Sequence, residues 1–94
     1  MSLLQFEWDK NKAKANLRKH RVSFELAATV LGDPPAITIL DDLSSRDEDR
    51  YVTMGLSSIG SLLVVCHSDR GNKIRIINAR KATAREKRQY EEGI

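Results

Sequence analysis

The sequence is poor in most features that mark a specialised chain. It has a single cysteine, Cys66, so no disulfide forms within it, and a reducing compartment is its natural setting. Its longest apolar run, Leu62 to Cys66, is five residues long, against the roughly 18 that a spanning helix needs, so no membrane segment is expected. Met1 to Trp8 hold no basic stretch followed by an apolar one, which predicts a cytoplasmic protein without a secretory signal. The five glycines are scattered, which leaves no phosphate-binding glycine loop. His20, His67 and Cys66 are too few and too separated for a zinc site, so neither metal nor cofactor is expected. Aromatic residues make up 5% of the chain, too few to supply many stacking platforms for bases. With 94 residues there is room for one domain, spanning 1–94, and none for separate cofactor and substrate domains.

What the chain does have is charge, at 31% of residues, with a net value of +3 that conceals an uneven order. Residues 1–25 hold six Lys/Arg against three acids, and residues 26–49 hold one against six. Residues 50–94 hold nine Lys/Arg against four acids. A basic segment larger than the net charge is an electrostatic footprint for a polyanion, although a plain solvated surface has the same composition.

The hydrophobic period changes from helical to strand-like and back. Asp9 is placed to cap a first helix whose apolar stripe is Ala13 and Leu17, with Trp8 folded over Ala13. Its polar face carries Lys10, Lys14, Arg18 and Arg21. Ser23 caps a second, shorter helix over 24–31 that turns Ala27, Val30 and Leu31 inward and stops at a left-handed Gly32 before Asp33-Pro34-Pro35. Four strands are predicted over 36–41, 50–57, 62–68 and 73–79, with a polar, acidic loop over 42–49. Short turns imply antiparallel pairing, and the unbroken apolar run at Leu62–Cys66 marks a central strand. Thr83 and Glu86 form a capping box that starts a C-terminal helix. The expected fold is α+β with the order α-α-β-β-β-β-α, two N-terminal helices, a four-stranded antiparallel sheet and a closing helix.

Basic chemistry gathers around the last two strands. Arg70 occupies a turn, Lys73 and Arg75 share a strand face, Arg80 and Lys81 close that strand, and Arg85 opens the helix. An antiparallel hairpin brings His67 near Lys73 and Arg75. Guanidiniums hold phosphate oxygens bidentately and stay charged, and an imidazole moves a proton near neutral pH. RNA supplies its own nucleophile in the 2′-OH, so this set suits metal-free RNA cleavage. His67 also fits a partly buried strand-end histidine, and His20, after Lys19 at the end of the first helix, fits a helix-capping cation as well as a catalytic one.

The run Phe6-Glu7-Trp8-Asp9, then Lys12, Ala13, Asn16 and Lys19-His20-x-Val22-Ser23-Phe24-Glu25-x-Ala27, resembles the opening of the BrnT family of bacterial toxins. Asp49-Arg50-Tyr51, Gly55, Leu63-Val64-Val65, Arg70-Gly71 and Arg75-Ile76-Ile77-x-Ala79-Arg80-Lys81-Ala82-Thr83-x-x-Glu86-x-x-x-Tyr90-Glu91 are similar to the rest. The resemblance implies a RelE-like ribonuclease toxin of a type II toxin–antitoxin pair that cleaves RNA and arrests growth. It also implies a BrnA-like antitoxin that dimerises, binds DNA and neutralises the toxin. The residues it carries over are Arg70 and Arg80, followed by Lys81 and His20. Together with the residue-level reading, the catalytic candidates are Arg70, Arg80, His67 and His20. The RNA-binding candidates are Lys73, Arg75, Lys81, Arg85 and Lys14. The sequence departs from the pattern at Arg21, where the family has glycine, at Leu26, where an acid completes a capping box, and at Leu56, where a basic residue is common. Those departures keep open a toxin that has lost its activity, or a binding module that cuts nothing.

Overall fold

The structure, a computed structural model, describes residues 4–41 and 48–93. The elements are β1 (Gln5–Glu7), α1 (Lys10–His20), α2 (Phe24–Val30), β2 (Ile37–Leu40), β3 (Arg50–Leu56), β4 (Leu62–Arg70), β5 (Lys73–Lys81) and α3 (Ala84–Glu92). The expected order of helices and strands is present, and β1 adds a fifth strand. The expected acidic loop over 42–49 falls mostly outside the described residues. Three residues show no usable alternation, and β1 exists only through pairing parallel to β5, with Gln5 opposite Lys73 and Glu7 opposite Arg75. The sheet order is β1-β5-β4-β3-β2, antiparallel except at β1, and β4 lies at the centre as its apolar run requires.

Local capping sets where each helix starts. Asp9 Oδ1 accepts from the backbone N–H groups of Asn11 at 2.8 Å and Lys12 at 3.0 Å. Ser23 Oγ accepts from Leu26 N at 3.0 Å, and Thr83 and Glu86 complete their capping box. α1 ends at Arg21, which takes the left-handed conformation with φ 60° and ψ 29°, as a residue at a glycine position must. Two expectations change. Gly32 is not left-handed; α2 ends in tight turns, with Leu31 N bonded to Ala28 O and Gly32 N to Thr29 O, each at 3.2 Å. Leu17 does not face the core either and is 49% exposed, because α1 instead turns Asn16 inward.

Asn16 explains that rotation. β1 pairs with β5 only as far as Arg75, so the outer edge of β5 beyond it has no strand neighbour among the described residues. Asn16 fills part of the gap: its Oδ1 accepts from Ala79 N at 3.1 Å, and its Nδ2 donates to Ala79 O and Val22 O, both at 2.9 Å. One amide side chain thus stands in for a missing strand.

One face of the sheet is covered by α1 and α2. Phe24, Ala27 and Val30 from α2 meet Leu63, Val65, Ile76 and Ala79 from β4 and β5, all essentially without solvent contact. Trp8 packs edge-on to Phe24 at 5.9 Å, and Trp8 and Ala13 both close the rim of this core. Gly55 is needed where α2 meets β3: an added Cβ would lie 2.9 Å from Ala36 Cβ and 3.1 Å from Val30 Cγ1. The opposite, open face carries Ile37, Ile39, Val52, Met54 and Val64, and only Glu86 and Gln89 of α3 border that apolar trough.

Candidate functional site

The β4–β5 hairpin fixes most of the predicted residues. Arg70 pairs with Lys73 across a two-residue loop, Gly71-Asn72, in which Gly71 supplies the positive φ of 66°. Counting back from that pair, Ser68 lies opposite Arg75, and His67 opposite Ile76. Alternation then places Arg70, Lys73 and Arg75 on the open face and His67 on the helix-covered face. Arg70 is exposed, with Glu48 3.9 Å away, too far for a strong pair. A bulge at Ile77, between the pairs of Cys66 and His67, shifts the register once. Asn78 and Arg80 nonetheless return to the open face.

His67 is therefore close in the chain to Lys73 and Arg75 but does not share their surface. It is 6% exposed, its Nε2 lies 2.7 Å from Thr53 Oγ1, and Thr53 Oγ1 lies 2.7 Å from Thr38 Oγ1. The Tyr51 ring stacks on the imidazole at 5.8 Å, and Nδ1 is buried without a hydrogen-bond partner among the described residues. Burial holds its pKa below the usual histidine value, against a weaker upward pull from Asp69. The neutral ring is favoured there.

Arg80 is held rather than free. Its two terminal nitrogens donate to Glu86 Oε1 at 2.8 Å and Oε2 at 2.9 Å. This pair holds the Glu86 carboxyl down at about 2 and raises the Arg80 guanidinium above its ordinary value. Lys81 lies at the far end of β5, in a groove bordered by Leu56, Leu62, Lys87 and Tyr90. Arg85 is exposed on the first turn of α3, and Lys14 is exposed on the outer side of α1. The structure does not gather these last three with the Arg70–Arg75 set.

His20 has different company. A cleft runs between α1 and the outer edge of β5 where β1 stops. It is lined by Lys12, Asn16, Lys19, His20, Ile77 and Asn78, together with Ala15. Two lysines and an imidazole of α1 thus line one hollow with Ile77 and Asn78 of β5, and that lining contains no carboxylate. Of these residues only His20 is a candidate from the sequence; Lys12, Lys19 and Asn78 are not. The missed signal was the spacing of Lys12, Asn16, Lys19 and His20, which lie at i, i+4, i+7 and i+8 on one helix face. A buried asparagine amid the stripe hid it.

Among the described residues no group of three or more His, Cys, Asp or Glu side chains is arranged to hold a metal ion. No helix among them is long and apolar enough to cross a membrane.

Comparison with known proteins agrees with this architecture. No curated protein matches the sequence. The crystal structure of the Brucella abortus ribonuclease toxin BrnT superposes with a TM-score of 0.66 at 19% identity, covering 86% of this chain and 99% of that one. It shares the α+β fold. Residues 8–86 match the family model described as the ribonuclease toxin BrnT of type II toxin–antitoxin systems. That match covers most of the chain, and the chain therefore belongs to the BrnT family of ribonuclease toxins of type II toxin–antitoxin systems, a membership that implies an RNA substrate and a cognate antitoxin.

Proposed function

We propose that this chain cleaves RNA in the cytoplasm by a metal-independent transesterification at the α1–β5 cleft. The observation that carries the reading is that cleft's composition, with Lys12, Lys19 and His20 of α1 lining one hollow beside Asn78 and no carboxylate in its lining. His20 takes the proton of the ribose 2′-OH, and the freed oxygen attacks the adjacent phosphorus. The bond to the 5′ oxygen breaks, solvent returns a proton to it, and a 2′,3′-cyclic phosphate remains. Lys12 and Lys19 offset the charge that grows on the phosphoryl oxygens. Arg70, Lys73 and Arg75 hold flanking phosphates along the open face.

In this scheme Arg80 is a positioning residue. Its fork is occupied by Glu86, so it fixes the end of β5 beside Asn78 and anchors α3. His67 is likewise a positioning residue, binding β4 to β3 through Thr53. The growth-arresting toxin is neutralised by a BrnA-like antitoxin that dimerises and binds DNA. Family membership supports that partner.

The test is incubation of the purified chain with RNA in EDTA, with mass spectrometry of the products. Cyclic-phosphate ends are expected, and His20→Ala should slow their formation by roughly 10²-fold or more with the fold intact. Equal rates for wild type and His20→Ala would remove His20 from the reaction. Cleavage that requires magnesium would overturn the metal-free scheme.

A further inference from the structure

The outer edge of β5 is occupied at both ends and open between them. From Lys73 to Arg75 it is paired with β1. At Ala79 both backbone groups are bonded to the side chain of Asn16. Ile77 lies between. It is the extra residue of the bulge, so it has no partner in β4, where Cys66 pairs with Asn78 and His67 with Ile76. It has none in β1 either, which stops opposite Arg75. Among the described residues, Ile77 is the one position of β5 without a strand partner on either side.

The N–H and C=O of a strand residue leave the same side of the strand, and residues two apart share that side. Ala79 directs both groups outward to Asn16, so Ile77 directs its own outward too. That side is the α1–β5 cleft, which Ile77 lines. An outward donor and acceptor need a partner or water. The cleft holds about 370 Å³, the size of a small-molecule site, which suits one nucleotide and not a helix. Its lining has no aromatic side chain, so a base is not held there by stacking. What the edge offers is one N–H beside one C=O. The Watson–Crick edge of every base sets a donor next to an acceptor in the same way. Adenine and cytosine donate from an exocyclic amine and accept at a ring nitrogen; guanine and uracil donate from the ring and accept at an exocyclic oxygen. With the sugar and phosphate fixed on the α1 side, the order of N–H and C=O along the strand suits only one of these two pairs.

We infer that Ile77 reads the base at the cut, its backbone N–H and C=O pairing with the Watson–Crick edge of an unpaired nucleotide. The inference deepens the proposed cleavage at this cleft and rests on it. Lys12, Lys19 and His20 hold the sugar and phosphate of that nucleotide from the opposite wall. A duplex is excluded, because its own pairing uses the edge that Ile77 needs.

The first test uses the unmodified protein. The backbone amide of Ile77 is followed by NMR in the isotope-labelled chain during titration with each of the four nucleoside 3′-monophosphates. It should move downfield with one pair of bases, adenine and cytosine or guanine and uracil, and far less with the other. The second test sequences the cut ends of a mixed single-stranded RNA. Wild type should cut beside the favoured pair roughly tenfold or more over the other, as a lost pair of base contacts implies. Ile77→Pro, which removes the N–H at a bulged edge where proline is tolerated, should bring the two nearly level. The same RNA annealed to its complement should be cut at least about tenfold more slowly, in keeping with recognition of unstacked bases. An Ile77 amide that moves equally with all four nucleotides, or with none, overturns the inference. So does a cutting pattern indifferent to base, or a duplex cut as fast as the single strand. If Ile77→Pro does not fold, the amide titration decides alone. If the chain leaves RNA uncut while the amide still separates the nucleotides, the cleavage reading falls and the base site stands. Uniform cutting with an unmoved amide removes the base site and leaves the cleavage reading in place.

Discussion

Asn16 shows how much one polar side chain contributes when it replaces backbone pairing. It satisfies both backbone groups of Ala79 and the carbonyl of Val22. Asn16→Ala leaves those groups buried without partners, at a cost of about 1–3 kcal/mol for each one that water does not reach. Urea denaturation should therefore show a loss on the order of 3 kcal/mol, with α1 loosened from β5. His67 makes a second prediction at this scale. Its folded pKa lies below the unfolded value because burial disfavours the cation. The unfolded chain then binds the proton more readily, so stability is full above about pH 6.5 and falls as the solution is acidified toward the folded pKa. His67→Gln should flatten that slope in melts between pH 7 and pH 5. The placement of His67 was partly legible. Once the hairpin loop is fixed at two residues, pairing parity sets His67 opposite an isoleucine and away from Lys73 and Arg75. The role of Asn16 was not legible, because its partner Ala79 is 63 residues away.

Among the elements, α3 is held differently from the rest. None of its residues is buried, so it owes little to apolar packing. It is fixed by its capping box, by the Arg80–Glu86 pair and by Tyr90, whose hydroxyl donates to Asp33 Oδ2 at 2.7 Å. Glu86 serves both the cap and the pair, since Oε1 also accepts from Thr83 N at 2.9 Å. Glu86→Gln should speed amide exchange throughout α3 and leave the β4–β5 core protected. Acid should act on the wild type in the same way. The folded pKa of Glu86 is depressed to about 2 from 4.5, so its contribution is complete above about pH 4.5 and disappears as pH falls toward 2. The capping box was readable from Thr83 and Glu86, since it is a local spacing. Arg80 stands out in the sequence as a catalytic candidate, but its pairing with Glu86 is not readable there, because the turn from β5 into α3 that brings the two together leaves no local signature. β1 was invisible for the same reason: its pairing is made with the far end of the chain.

Across the whole molecule, the uneven charge order has a spatial counterpart. The basic N-terminal segment and β5 meet at one side of the sheet, and the acidic residues Asp41 and Asp49 lie by β2 at the other. RNA binding should weaken steeply with salt, and removing one phosphate-contacting cation should shallow the log–log slope by about 0.7 for a single strand. Fluorescence anisotropy with a labelled single-stranded RNA should show that change for Lys19→Ala and not for Lys87→Ala, whose side chain lies in the groove beside α3. Segment sums foretold that the charge was divided. Only the fold could show that α1 lies against β5, because no local pattern joins the two ends of the chain.

The packing of α1 beside β5 also governs when the cleft between them can form. One wall of the cleft is α1, complete by residue 20, and the other is β5, which ends at residue 81. A chain emerging from synthesis carries Lys12, Lys19 and His20 long before it has a strand to set them against. The two walls meet only once the chain has been made through residue 81. A chain that stops before β5 therefore carries α1 without the strand edge that forms the other wall of the cleft.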